Sequence, residues 1–372
     1  MTERPIFVVG CPRSGTTLLR DLLRSHPRLS FPHESGGLPG LYRVHGDPRS
    51  DREARLLAAD FLGSHSVRQW NPGLRPADLE RGRTFAAVVT PAYELWARGE
   101  GKPRWGDKTP LHVLEIPQLV GLFPTAQFVH LVRDGRDVAL SLAGKGWGQR
   151  CAYTAAVQWR RCVEAGLADG RPLGASCYHE LSYEELLAAP ESTLRRLCAF
   201  LDEDFVPALL RPSRIPLPAA RPPQWAPGLA DRLDAAGVAR WKRELPADEE
   251  VVFESVAGDL LRRLGYETHG ETRALGRLEC ARWEARDLLA LTRWRLTAWD
   301  RVPRARTSCL RAGSRLLVRL GRTRVHRATT GAVPPGPARR TIQQETTDGP
   351  QPTPVRPRRL SQDDDHTTPP TG

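Results

Sequence analysis

Lysine is the scarcest charged residue: four stand among the 55 basic positions of this 372-residue chain, and the rest are arginine. Such a bias points to a GC-rich bacterial genome. The seven cysteines are odd in number and contain no C-x-x-C pair, which excludes a disulfide scaffold and suits a reducing compartment. No histidine–cysteine cluster suggests zinc, and no carboxylate cluster calls for another metal. No stretch approaches the roughly 18 apolar residues of a membrane-spanning helix. The first apolar strand opens within five residues of Met1, so no signal peptide is expected and the chain is assigned to the cytoplasm. Internal repeats are also absent.

Charge is unevenly spread. The net +12 is concentrated between Arg273 and Arg327, where 15 arginines oppose 4 acids; from Ala328 onward 5 arginines meet 5 acids. Residues 1–272 are therefore nearly neutral. The length suits one large α/β domain with an appendage. We divide it into a main domain over 1–266, a basic helical extension over 267–327, and a disordered low-complexity tail over 328–372.

Apolar runs near 6–9, 102–105, 126–132 and 176–179 read as strands. Helical patterns fall near 51–62, 84–98, 111–123, 137–143, 153–167, 184–189, 191–201, 229–241 and 248–264. This alternation predicts a P-loop-like, mainly parallel sheet with helices on both faces. Residues 207–228 are dense in proline and cannot hold helix or sheet. Gly144–Gly148 is a candidate mobile loop.

The segment from Pro5 to Leu19 is the most informative. Ile6–Val9 end at Gly10, and Leu18, Leu19, Leu22 and Leu23 recur at helical spacing after a short polar loop. Strand, tight loop and helix aim backbone N–H groups and a positive helix end at an anion. Ser14, Gly15, Thr16 and Thr17 supply donors and Arg13 a permanent charge. Gly10 and Gly15 are spaced as in a nucleotide triphosphatase loop, but Thr16 stands where that pattern requires lysine. The bland alternative is a tight turn with Thr16 or Thr17 capping the helix. Cys11 reads as a small residue fitting the turn, although a helix N-terminus can lower a thiol's pKa.

A second basic turn, Arg133-Asp-Gly-Arg-Asp137, follows the strand at 126–132 and so faces the same ligand edge. Ser141 follows eight residues after Arg133, within reach of the same monophosphate. Taken alone this turn reads as a set of salt bridges, Arg133 and Arg136 against Asp134 and Asp137.

Together Cys11-Pro-Arg-Ser-Gly-Thr-Thr17 and Leu131-Val-Arg-Asp-Gly-Arg-Asp-Val-Ala-Leu-Ser141 resemble the two nucleotide motifs of the sulfotransferase family. The nearest flavour is the branch that includes tyrosylprotein sulfotransferases and many bacterial enzymes. Three further segments agree: His26-Pro…Glu34, Trp105-Gly-Asp-Lys-Thr-Pro110 and Ser182-Tyr-Glu-Glu…Pro190. Gly237-Val-Ala-Arg-Trp241 is a looser match. The resemblance spans about Pro5 to Tyr266.

It implies 3′-phosphoadenosine 5′-phosphosulfate (PAPS) as donor and PAP as product, with no metal. Arg13, Ser14, Gly15, Thr16 and Thr17 would hold the 5′-phosphosulfate, and Arg133 and Ser141 the 3′-phosphate. Tyr183 would support that end or the adenine, and Arg240 is a further phosphate contact. Lys108 would stabilise the bridging oxygen. Glu34 would be the general base, with His33 its rival. Relatives that sulfate tyrosine are lumenal membrane proteins, a departure from the features read here.

The leading expectation is sulfuryl transfer to a hydroxyl of a carbohydrate, glycolipid or small molecule. The alternatives are a nucleotide kinase or NTPase, disfavoured by the missing loop lysine, and a non-catalytic PAP- or PAPS-binding module. In the extension, Leu278, Ala281, Ala285, Leu288, Leu289, Thr292, Leu296 and Trp299 share one helical face. That face either packs against the main domain, the preferred reading, or rests peripherally on the inner face of a membrane through residues 273–327. Trp283, Trp294 and Trp299 suit an interface better than a base-stacking platform, so nucleic acid is disfavoured.

Overall fold

A computed structural model describes residues 4–70, 73–145, 148, 151–213 and 237–299. Strands β1 (Ile6–Gly10), β2 (Leu29–Ser30), β3 (Arg104–Lys108), β4 (Gln127–Val132) and β5 (Tyr178–Ser182) form one parallel sheet in the order β2-β3-β1-β4-β5. Ile6 is in register with Gly106 on one side and Gln127 on the other. β1 is thus central, with the chain turning to opposite sides of it. A parallel sheet of this kind gathers ligands outside the carboxyl ends of its strands.

Helices cover both faces. In the first half these are α1 (Thr16–Arg24), α2 (Leu38–His45), α3 (Asp51–Gly63), α4 (His65–Trp70), α5 (Phe85–Gly99), α6 (Ile116–Leu122) and α7 (Gly135–Ala143). Then come α8 (Ala152–Gly170), α9 (Tyr183–Ala188), α10 (Pro190–Leu201), α11 (Trp241–Glu244), α12 (Ala247–Arg263) and α13 (Arg277–Trp299).

Strand alternation sorts the two cores. Ile6 and Val8 pack with Leu18, Leu19, Leu22 and Leu23 of α1 and with Leu194 and Leu197 of α10. Phe7 and Val9 face Leu57, Val88, Trp159 and Phe253, from α3, α5, α8 and α12. Phe7 stacks on Phe128 of β4 with ring centroids 5.4 Å apart. Because β1 is buried on both sides, it reads as an unbroken apolar run, whereas β4 also buries Gln127 and His130.

The expected helices at 51–62 and 84–98 occur within a residue or two of those bounds. The strand expected at 102–105 lies at Arg104–Lys108 instead, so Lys108 ends a strand. The helix expected from Leu111 begins as a 3-10 turn, Pro110–Glu115, before α6. Most of the helix at 229–241, the proline-dense run from 214, part of the loop at 144–148 and the tail over 328–372 lie outside the described residues. Among the described residues no helix is long and apolar enough to cross a membrane.

The extension corrects one expectation. α13 does pack on the main domain, but through the opposite face: Trp283 stacks on Tyr153 at 5.3 Å, and buried Asp287 accepts a hydrogen bond from Thr154. Leu278, Leu288 and Leu289, assigned to the inward face, are 79%, 57% and 65% exposed. Complementary partners on α8 chose the docking face, and helical periodicity carries no information about them. The side chains of Leu296 and Trp299 lie outside the described residues.

Candidate active site

The loop after β1 departs from ordinary backbone geometry at two positions. Gly15 has φ +97°, and Arg13, which carries a side chain, has φ +75°. A left-handed residue that is not glycine costs energy, of order 1–3 kcal/mol, and such strain gathers at binding sites. Alternating backbone handedness also turns successive N–H groups toward one point. A Cβ on Gly15 would lie 2.4 Å from the ring of Tyr183, so glycine is required for space as well as for φ.

α1 then begins without a side-chain cap or an acid of its own at its positive end. Its N-cap, Gly15, offers no side chain, and its first turn holds no acid. The first N–H groups of a helix have no partner within it. Ser14 Oγ is buried without a hydrogen-bond partner. No carboxylate lies within ion-pair distance of Arg13 among the described residues. An anion would satisfy all of these groups together.

The second basic turn meets the first. Arg13 Nε donates to Ser141 Oγ at 3.0 Å, and Arg133 Nη1 donates to the Arg13 carbonyl at 3.2 Å. Arg133 also donates to the Gly237 carbonyl and lies 3.7 Å from Asp137, while its Nε is buried without a partner. The Arg133 guanidinium sits 4.5 Å from the Tyr183 ring centre. Burial, and then the charge of Arg133, lowers the pKa of Arg13. Two guanidiniums therefore converge where a doubly charged group would relieve them both.

The sequence turn contains a second arginine with a different fate. Arg136 is fully buried and bonded to Asp134, Glu254 and the Glu267 carbonyl, with Trp241 beneath it at 3.4 Å. Asp134 caps α7 by accepting from the Arg136 N–H. Glu250, Glu254 and His269 form a compact set of potential metal ligands, but the Arg136 guanidinium approaches Glu254 at 2.8 Å and Glu250 at 3.7 Å. Arg240 lies at the start of α11 and spends its guanidinium on Glu244, at 3.1 Å. Cys11 is buried, and burial with Cys162 beside it raises its thiol pKa well above the ordinary value. The helix end therefore does not activate it.

Lys108 arrives from β3. Its ammonium donates to Thr17 Oγ1 at 3.3 Å and pairs with Glu34. The Lys108 side chain is 3% exposed and that of Glu34 46%, so the cation lies inside and the carboxylate faces outward. Burial lowers the Lys108 pKa, and Glu34 opposes that shift. His33 is pushed down to about 4 by burial and by Arg20 and Lys108, so it is neutral at pH 7.

A buried network with no signature in the sequence anchors the backbone beside Glu34. Asp107 Oδ2 accepts from the N–H of Ser35 at 3.3 Å and from Tyr93 Oη at 2.9 Å. Its other oxygen lies 3.2 Å from His112 Nδ1, close enough to pair but off-line for a hydrogen bond. Burial alone would raise the Asp107 pKa; His112, Ser35 and Thr109 outweigh it and keep the carboxyl below its usual value. Asp107 lay within Trp105–Pro110, but no local signal links it to Ser35.

Arg13, Ser14, Thr17, Glu34, Lys108, Arg133, Ser141 and Tyr183 thus converge at one sheet edge, while Arg240 is held by its own helix. The family model for sulfotransferases matches residues 5–207. The chain belongs to the sulfotransferase family. Among curated relatives, protein-tyrosine sulfotransferase of Drosophila melanogaster is 26% identical over 280 residues, 71% of this chain and 52% of that protein. Nodulation protein NoeE of Sinorhizobium fredii is 29% identical over 70% of this chain and 65% of its own. The match thus spans about half of the Drosophila protein's length. The solved sulfotransferase domain of the Synechococcus PCC 7002 olefin synthase is 26% identical with a TM-score of 0.53, covering 71% of this chain and 96% of that domain. The sulfotransferase domain of the curacin biosynthetic pathway, at 23% identity and TM-score 0.50, shares the fold.

Proposed function

We propose that this chain transfers a sulfuryl group from PAPS to an acceptor hydroxyl and releases PAP. The observation that carries this reading is the meeting of two anion-receptive turns, joined by the Arg13–Ser141 and Arg133–Arg13 hydrogen bonds, with no carboxylate at Arg13 among the described residues. The orphaned Ser14 Oγ and Arg133 Nε fit a ligand with a phosphate at each end. In the assigned roles, Ser14 to Thr17 hold the 5′ end, while Arg133 and Ser141 hold the 3′-phosphate. Tyr183 braces the loop between them. When bound, PAPS supplies the sulfuryl group, whose bond to the 5′-phosphate oxygen breaks as the acceptor oxygen attacks sulfur.

Glu34 takes the acceptor's proton, because its carboxylate faces outward beside Lys108 whereas the His33 Nε2 is buried. Lys108 and Arg13 stabilise charge on the departing phosphate oxygen. No metal is assigned a role. The acceptor is read as a carbohydrate, glycolipid or small-molecule hydroxyl, with a tyrosine peptide as first competitor given the names of several relatives. The six described cysteines are free, which accords with the reducing cytoplasm proposed for the protein.

A nucleotide kinase is the second reading, because Lys108 brings a lysine to Thr17 from outside the loop. Calorimetry with PAP, 5′-AMP and ATP–Mg²⁺ separates the two. Tight binding of PAP alone supports sulfuryl transfer; preference for ATP–Mg²⁺ would move the kinase reading ahead. With labelled PAPS and an accepting hydroxyl, Glu34→Gln is expected to lower kcat by about 10²–10⁴-fold and leave PAP affinity nearly unchanged. Unaltered turnover would remove Glu34 as base.

A further inference from the structure

α13 has two faces of unlike use. Cys280, Trp283 and Asp287 fall on one side at helical spacing, and Trp283 and Asp287 fix that side to α8. Leu278, Ala281, Ala285, Leu288, Leu289 and Thr292 fall on the opposite side, and all six are exposed. Arg282 and Arg286, one turn apart and also exposed, line the flank of that stripe. A helix already anchored by one face gains nothing for its fold from leucines on the other. Three leucines exposed by 57–79% along a single helix mark a contact surface.

We infer that this outer face of α13 docks on an anionic phospholipid surface and seats the enzyme at a membrane. Shape and charge favour lipid over another protein. The stripe is the convex crest of one helix, which a bilayer interface accepts without a complementary groove. Arginine flanks suit it because their apolar stems lie along the acyl region while their guanidiniums reach headgroup phosphates. The segment from 273 to 327 carries 15 arginines against 4 acids, which draws it to anionic headgroups and opposes pairing between two copies of itself.

The test is flotation of the full-length protein with vesicles of phosphatidylcholine, with and without phosphatidylglycerol. Binding is expected only with phosphatidylglycerol, and to weaken as salt rises. Leu288→Asp combined with Leu289→Asp should reduce it at least about tenfold. The milder Leu288→Ala/Leu289→Ala pair, which keeps helix propensity, should reduce it in the same direction. Arg282→Glu/Arg286→Glu should also weaken it. PAP affinity should be unchanged in all of them, which reports an intact main domain.

Equal binding to pure phosphatidylcholine would overturn the inference, as would leucine variants that bind like the parent. Sedimentation equilibrium without lipid is the second measurement. A self-associated mass abolished by the leucine substitutions would assign the stripe to a second copy and overturn the lipid reading.

Discussion

The turns after β1 and β4 occupy equivalent places at the carboxyl edge of one parallel sheet, yet they finish their helices in opposite ways. The first leaves α1 without a side-chain cap, and among the described residues Ser14 Oγ has no partner and Arg13 no carboxylate. The second closes itself: Asp134 caps α7, and Arg136 is enclosed by Asp134, Glu250 and Glu254. Only Arg133 and Ser141 reach across to the open turn. A helix N-terminus becomes a ligand site where the protein withholds its own cap, and a structural pillar where it supplies one.

The comparison breaks most visibly at Arg136. Arg136→Ala would strand three acids in the interior and is expected to destabilise the fold by about 3–5 kcal/mol in urea unfolding. The folded fraction should keep its PAP affinity. A loss of PAP affinity without a loss of stability would make Arg136 a ligand contact and erase the contrast between the turns.

Arg13→Ala addresses the open turn. Removing that cation should cut kcat/KM with labelled PAPS by about 10²–10³-fold while leaving thermal stability near the parent's, since Arg13 neutralises no carboxylate among the described residues. Substantial unfolding would mean that the strained loop depends on Arg13 for its shape.

Arg133→Ala sharpens the division of labour within the second turn. PAP affinity should weaken by about 10–100-fold, the worth of a charged hydrogen bond, and 5′-AMP affinity much less. Equal losses for both nucleotides would sink the assignment of Arg133 to the 3′-phosphate.

The smallest effect concerns a buried imidazole in the strand that feeds the closed turn. His130 is fully buried, 2.6 Å from Tyr178 Oη, and burial depresses its pKa to about 4. A histidine whose folded pKa lies below its unfolded value stabilises the fold above about pH 6.5 and loses that contribution as pH falls toward 4. Thermal melts should therefore show a loss of about 2 kcal/mol between pH 7 and pH 5, smaller in His130→Gln. His33 shifts the same way but is partly exposed and contributes less. An identical acid limb in His130→Gln would place the titrating group elsewhere.

Much of the active edge was legible in the chain because its signals are local. β1, the glycines at 10 and 15 and the leucines of α1 announce strand, loop and helix without reference to anything distant. Arg133 and Ser141 were found for the same reason, being separated by about two turns of one strand–helix junction. Arg240 was singled out from a loose match and is held by Glu244, an i,i+4 partner visible in the sequence once the helix is placed.

The sequence by itself determined the alternation of strands and helices, the anion loop and the basic turn, because each follows from periodicity and residue type over a few neighbours. Tertiary structure alone decided three things. It brought Lys108 from β3 to Thr17, supplying in space the lysine that the loop lacks in sequence. It locked Arg136 among buried acids and turned Arg133 toward the Arg13 loop, although both stand in one five-residue turn. It turned α13 so that Trp283 and Asp287 face α8 and the leucines face outward. Each choice rests on partners tens of residues or more away, and those pairings are set by packing that no local pattern encodes.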